Sequence, residues 1–255
     1  MADRHLNLFF SYSQDTDLLE NNLTRAWIVT MQLLSSELRE RLLHKLLGEA
    51  LRALGNGLSN REHSFATAQF ALQGHMDSAL VRSCSDKYLV AMASEHGYDD
   101  DSSEGRESPR AGQASGSIPD AWIFDKAGSY CFLVEAKVGT NPLDDGQIAN
   151  HATRWFGLPR QELATHLLAL SWDDLANVLE GILSDIAGGR LAALVPEQLI
   201  LTNLSEYLTF FGYRAFRGIA LNAVQDIPAF ALGRRGIHLP ALARLGAPPG
   251  FRLQN

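Results

Sequence analysis

The sequence is poor in cysteine and has no long apolar run. Cys84 and Cys131 are its only cysteines, too few for a disulfide framework or a thiolate zinc site, so we expect a reducing compartment. No window of about 18 uncharged apolar residues exists, which argues against a transmembrane helix. The first residues lack the basic start and apolar core of a signal peptide. These absences predict a cytoplasmic protein with no membrane partner.

Several motifs of common enzyme classes are also missing. No Gly-rich phosphate loop with Gly-Lys-Ser/Thr occurs, so the sequence predicts no ATP-driven motor, and no Gly-x-Ser-x-Gly anchors a hydrolase triad. His63, His75 and His96 lack metal-ligand spacing and are interpreted as structural or surface residues. With 255 residues, 46% of them hydrophobic and 20% charged, the chain is typical of one large globular domain, or of one domain with an appendage.

Acidic residues outnumber basic ones, but not in the C-terminal part. The net charge is -7, whereas the residues from Arg190 to the end carry a local balance of +4. Arginine suits bidentate phosphate contacts, so this part is the predicted surface for a nucleic-acid backbone, with a merely solvated surface as the alternative. Its arginines are Arg190, Arg214, Arg217, Arg234, Arg235, Arg244 and Arg252.

A β-hairpin is predicted near the middle of the chain. Two apolar runs, 121–124 and 130–134, flank the turn-rich residues 125–128, as expected for two antiparallel strands. The polar, Gly/Ser-rich residues 99–117 come just before it and predict a mobile insert.

The hairpin carries a group of charged residues that suits one kind of chemistry. Asp120 precedes the first strand, and Glu135 and Lys137 end the second, on one face because side chains alternate along a strand. Two carboxylates are hard ligands for Mg²⁺, and a lysine beside them orients or deprotonates a water, or stabilises developing charge. The group therefore indicates metal-assisted hydrolysis of a phosphodiester.

These residues resemble the signature of a known superfamily. Pro119-Asp120, fourteen intervening residues and then Glu135-Ala136-Lys137 are similar to the motif of the PD-(D/E)XK nucleases, which have the restriction-endonuclease-like fold. Gln147 resembles the glutamine motif of the RecB-like branch of that superfamily. This branch usually has tyrosine four residues later, where the present sequence has His151. A surface or satisfied core histidine is the favoured interpretation of His151.

The resemblance implies roles for individual residues. Asp120, Glu135 and the Ala136 carbonyl would bind Mg²⁺, with Mn²⁺ as a substitute, and Lys137 would position the attacking water. Gln147 would support a phosphate or that water. Glu20 resembles the glutamate that many members bring to the metal from their first helix, although a capping or surface carboxylate is an equal interpretation.

An α/β fold follows from the order of the predicted elements. One helix runs from about residue 17 to Gly55, then come strands within 63–73 and 87–93, the hairpin, a helix over 143–156 and a strand within 164–172. This order resembles the restriction-endonuclease-like mixed sheet, with further helices after Ser171 and near 197–211. We predict a nuclease-like core over 1–187 and a helical, basic extension over 188–255 packed on it.

The predicted function is a Mg²⁺-dependent nuclease acting on nucleic acid, with DNA favoured over RNA, in host defence or DNA repair. A homodimer, or a partner protein that supplies targeting or activation, is expected by analogy with the superfamily. Two alternatives stay open. One is a non-cleaving nucleic-acid-binding or scaffold module with the same fold, and the other is an α/β protein in which the motif residues are surface charges.

Overall fold

The predicted hairpin is part of a five-stranded mixed sheet flanked by helices. The computed structural model describes residues 8–9, 19–54, 64–73, 76–94, 118–138 and 143–214, without the side chains of 19–21. The strands are β1 (Gln69–Leu72), β2 (Asp86–Ala93), β3 (Ala121–Phe124), β4 (Tyr130–Ala136) and β5 (Leu167–Ser171). The helices are α1 (Leu19–Leu33), α2 (Ser36–Ala53), α3 (Ser78–Ser83), α4 (Asp145–His151), α5 (Trp172–Ala187) and α6 (Val195–Phe210). The expected α/β class is confirmed, while the restriction-endonuclease-like fold stays a prediction.

The strand order places the second hairpin strand in the middle of the sheet. The order is β1-β3-β4-β2-β5, with β1, β3 and β4 antiparallel and β4, β2 and β5 parallel. Gly128 adopts a φ of 78° in the β3–β4 turn, a conformation that glycine reaches without strain. The turn residues that predicted the hairpin therefore make the β3–β4 connection.

Alternation along β4 assigns its side chains to two separate apolar layers. Phe132 and Val134 belong to the larger layer beneath α1, α2, α5 and α6, whereas Cys131 and Leu133 belong to a smaller layer beneath α4. All seven residues of β4 are buried because both faces are covered. Glu135 follows Leu133 in this alternation, so its side chain lies on the α4 side of the sheet.

The single long first helix predicted from the sequence is wrong, because the structure has two helices with a break at Leu34 and Ser35. Arg39 stabilises the end of α1 by donating from Nε to the Met31 carbonyl at 2.9 Å and from Nη2 to the Leu34 carbonyl at 2.8 Å. The Ser35 N–H donates to Glu197 Oε1 at 2.7 Å. These contacts satisfy backbone groups that an unbroken helix would have paired internally.

We expect Glu197→Ala to lower the free energy of unfolding by about 1–3 kcal/mol, because two backbone donors would lose their acceptor. Glu197 is buried, and its carboxylate accepts from the N–H groups of Ser35 and Leu194, at 2.7 and 2.8 Å. Burial by itself raises the pKa of Glu197, but these two hydrogen bonds outweigh it and the pKa is lowered. A carboxyl group whose pKa is lower in the folded state than in the unfolded state stabilises the fold at pH values above its unfolded pKa. That contribution is lost as the pH falls through the pKa of the folded state.

Urea unfolding at pH 7 and below pH 4 measures this effect. The difference between the wild type and Glu197→Ala should shrink at the lower pH, while Glu206→Ala, an exposed site on the same helix, should change little at either pH. If Glu197→Ala lowers the free energy of unfolding equally at both pH values, ionisation of the Glu197 carboxylate is not what stabilises the junction between α1 and α2.

The remaining predictions about organisation concern the C-terminal extension, the insert and the membrane. Contacts group residues 1–215 into one unit and 216–255 into another, and the second unit lies outside the described residues. α6, which the sequence prediction assigned to the extension over 188–255, packs against α1 and α5. The insert at 99–117 also lies outside the described residues. No helix in the described ranges is long and apolar enough to span a membrane.

Candidate active site at the carboxyl ends of the parallel strands

The candidate catalytic residues lie where the three parallel strands end. β4 ends at Ala136, between Glu135 and Lys137, and β2 and β5 end at the same edge, since Ala91 pairs with Glu135 and Ala93 with Ser171. Open sheets with parallel strands commonly bind ligands at the carboxyl ends of those strands. The motif therefore lies where sheets of this kind commonly bind ligands.

Asp120 lies opposite Glu135 in the hairpin. Ala121 pairs with Val134, and the antiparallel register continued by one residue brings Asp120 to Glu135. Asp120 Oδ2 accepts a hydrogen bond from the Ala136 N–H at 2.9 Å, which orients the aspartate toward the end of β4. The turn length thus places Asp120 opposite Glu135 across the hairpin.

The buried Glu135 carboxylate is the centre of a hydrogen-bond network. Its side chain is 2% exposed, and Oε1 accepts from Lys137 Nζ at 3.1 Å and from Gln147 Nε2 at close range. Oε2 lies 3.2 Å from Nε2 of His151, whose side chain is 1% exposed. An ionised carboxylate in an apolar layer needs such donors to offset its lost hydration.

Helix α4 brings Gln147 and His151 to this carboxylate. Asp144 caps the helix by accepting from the N–H groups of Gly146 and Gln147, at 2.7 and 3.4 Å. Gln147 and His151 are four residues apart and therefore share one side of the helix, while Ile148 is buried in the smaller apolar layer. The predicted helix over 143–156 is α4 followed by a π-helical turn, Ala152–Phe156, a form often found at functional sites.

Trp172 supports the backbone of the candidate site, which the sequence did not indicate. Its indole Nε1 donates to the Lys137 carbonyl at 2.9 Å, and the ring is fully buried. It makes an edge contact with Trp27 at 6.4 Å between ring centroids, and Tyr213 lies at 6.2 Å. Trp172 and Tyr213 are both buried in the core.

The donor set fits Mg²⁺ in its chemistry. Asp120 and Glu135 supply two carboxylates, and Mg²⁺ commonly uses one or two together with waters and substrate phosphate. No three His, Cys, Asp or Glu side chains of the described residues are grouped closely enough to hold a metal ion. Glu20 lies in α1, but its side chain is outside the description, so its predicted role and that of the Ala136 carbonyl stay predictions.

A cationic cluster lies between α2 and the end of α5. Arg41 and Lys45 each lie 3.4 Å from Asp185 Oδ2, and Arg190 lies 2.9 Å from Oδ1. The hydrogen bond from Arg190, followed by that from Lys45, lowers the pKa of the Asp185 carboxyl. Three cations around one carboxylate leave a local excess of positive charge. The sequence pointed to Arg190 but not to the two residues of α2.

Comparisons of the chain with protein-family models, with curated proteins and with solved structures found no match.

Proposed function

We propose that this protein is a Mg²⁺-dependent nuclease that hydrolyses DNA phosphodiester bonds, with a restriction-endonuclease-like core. The observation that supports this proposal most directly is the convergence of Asp120, Glu135, Lys137 and Gln147 at one edge of the sheet. Glu135 is buried among polar donors, an arrangement more costly than an apolar one and therefore expected where chemistry requires it.

Each residue has a proposed part in the hydrolysis. Asp120 and Glu135 would hold Mg²⁺, which when bound supplies charge neutralisation at the scissile phosphate and acidifies a water. Lys137, whose side chain is 18% exposed and hydrogen-bonded to Glu135, is close enough to the carboxylates to orient the attacking water. Gln147 holds the Glu135 carboxylate and limits its rotation. Water attack breaks one P–O ester bond and leaves a phosphate end and a hydroxyl end.

The test is cleavage of supercoiled plasmid, linear duplex, single-stranded DNA and RNA, with Mg²⁺ or with EDTA. The expected result is metal-dependent cleavage of DNA that Asp120→Asn abolishes. The amide keeps an oxygen to accept from Ala136 but removes the charge that would bind the metal. Asp125→Asn, in the turn at the other end of the hairpin, is the matched control and should remain active.

Other outcomes would contradict this proposal in distinguishable ways. Metal-dependent nucleic-acid binding without cleavage would favour the non-cleaving scaffold, and absence of metal binding would favour ordinary surface charges. Preference for RNA would correct the substrate. The proposal also includes a homodimer or an activating partner, a cytoplasmic location and a role in host defence or DNA repair. These parts are tested by experiments in cells.

We expect the double variant Arg41→Gln/Lys45→Gln to bind duplex DNA more weakly and with a smaller salt dependence. Each lost phosphate contact should reduce the slope of log K against log salt by about 0.9. Asp185 and Trp172 are thirteen residues apart in α5, so the cluster lies about 20 Å along the helix from Trp172. This distance corresponds to roughly six nucleotides along a DNA strand.

Fluorescence anisotropy across a salt series measures this effect. Arg82→Gln/Lys126→Gln is the matched control, because it removes the same two charge types from exposed positions in the last turn of α3 and in the hairpin turn. Equal losses in both double variants would mean that overall charge, rather than this cluster, attracts the DNA.

A further inference from the structure

The Glu135 carboxylate has more donors on one oxygen than on the other. A carboxylate offers about four lone-pair positions, two on each oxygen. Lys137 and Gln147 both donate to Oε1, whereas His151 is the partner of Oε2. Among the described residues, one lone-pair position therefore remains, and it is on Oε2.

The contact with Oε2 suits one of the two tautomers of His151. With its proton on Nε2, His151 donates an N–H to Oε2 across the 3.2 Å separation, and Glu135 acts as an acceptor toward it as it does toward Lys137 and Gln147. An Nε2 that carries a proton has no lone pair for a metal. His151 is thus suited to hold a metal ligand and not to be one.

Packing leaves His151 little freedom to turn away. Its side chain is 1% exposed, and Ile148, one turn earlier in α4, and Ala152, the next residue, are fully buried in the smaller apolar layer. A capped α4 and a π-helical turn hold it from both sides. The orientation of the imidazole is therefore determined by the fold and does not depend on a bound substrate.

We infer that His151 is a positioning residue. Its Nε2–H orients Glu135 so that Oε2 is the oxygen that binds the cation. This inference rests on the proposed function, because it concerns the same metal site. Gln147 and Lys137 hold Oε1 on the other side. The three donors together make Glu135 a rigid ligand bound through one oxygen. Donors that orient a metal ligand typically contribute 10- to 100-fold to metal affinity.

Mn²⁺ binding to the full chain, measured by electron paramagnetic resonance without nucleic acid, tests the inference. His151→Gln keeps an N–H at about the place of Nε2, whereas the shorter His151→Asn cannot reach Oε2. We expect His151→Gln to bind Mn²⁺ within about threefold of the wild type and His151→Asn to bind it about 10- to 100-fold more weakly. His151→Leu, an apolar variant of similar volume, should match His151→Asn. Thermal melting identifies which variants are folded.

The outcomes separate this inference from the proposed function. Wild-type protein without Mn²⁺ binding, or unchanged binding in Asp120→Asn, would overturn both. Loss of binding in Asp120→Asn together with wild-type affinity in His151→Asn would overturn the inference alone. So would a ¹⁴N coupling to the bound Mn²⁺ that disappears in His151→Gln, since it would make His151 a ligand itself. The two amide variants differ by one methylene, so neither comparison depends on whether the leucine variant folds.

Discussion

Lys137→Ala is expected to lower the rate of phosphodiester cleavage by about a thousandfold, because a positioned proton-transfer or water-orienting group typically contributes 10²–10⁴-fold. Lys137 is the only described lysine that donates to Glu135, with Nζ 3.1 Å from Oε1. Alanine leaves no group that can orient the water from this side. Single-turnover cleavage of a labelled duplex, with enzyme in excess and saturating Mg²⁺, measures the chemical step directly.

Lys137→Ala should also lower the free energy of unfolding by a moderate amount. Lys137 is the nearest cation to a buried carboxylate, but His151 and Gln147 continue to donate to Glu135 when it is removed. We therefore expect the free energy of unfolding to fall by about 1–3 kcal/mol, and not by the larger amount typical of an unpaired buried charge. Lys126→Ala, at the exposed turn of the same hairpin, should change neither property. Cleavage at the wild-type rate by folded Lys137→Ala would contradict the assignment of Lys137.

Trp172→Ala is expected to lower the free energy of unfolding by about 3–5 kcal/mol, the usual cost of removing a buried tryptophan. The indole is fully buried, touches Trp27 edge-on and donates to the Lys137 carbonyl. Removing it leaves a cavity in the larger apolar layer and takes away the indole N–H that donates to the Lys137 carbonyl. Urea unfolding followed by circular dichroism measures the loss.

Trp172→Phe separates the packing of this residue from its hydrogen bond. Phenylalanine keeps much of the apolar contact but has no N–H, so we expect a loss of about 1–2 kcal/mol and a reduced cleavage rate under saturating metal. Leu199→Ala, at an exposed position on α6, should cost less than about 0.5 kcal/mol. Cleavage at the wild-type rate by the folded Trp172→Phe variant would show that the Lys137 backbone does not need this donor.

The paired carboxylates were predictable because their arrangement is local. Residues 125–128 have turn chemistry, and the flanking apolar runs pair across the turn, so the hairpin itself places Asp120 opposite Glu135. The capping of α5 was also local: Ser171 accepts from the Asp174 N–H at 3.1 Å, and Asp174 accepts in return. Patterns of this kind span about twenty residues or fewer and can be read along the chain.

The break between α1 and α2 could not be read in the same way. Apolar residues continue at helical spacing across Leu34 and Ser35, which predicted one helix. The structure breaks the helix where Glu197, 162 residues further along the chain, accepts from the Ser35 N–H. Helix propensity differs by tenths of a kcal/mol per residue and yields to a partly buried, charge-assisted hydrogen bond.

The sequence by itself determined the secondary elements of the hairpin, the spacing of Asp120, Glu135 and Lys137, and the absence of a long apolar run, because each depends on neighbouring residues. Only the tertiary structure decided that His151 holds Glu135, that Trp172 holds the Lys137 backbone and that Arg41 and Lys45 join Arg190. Apart from the contact of Arg190 with Asp185, which are five residues apart, these contacts join residues 16 to 144 positions apart in the chain. The energy of each contact depends on burial and on the packing of separate elements, neither of which a local pattern contains.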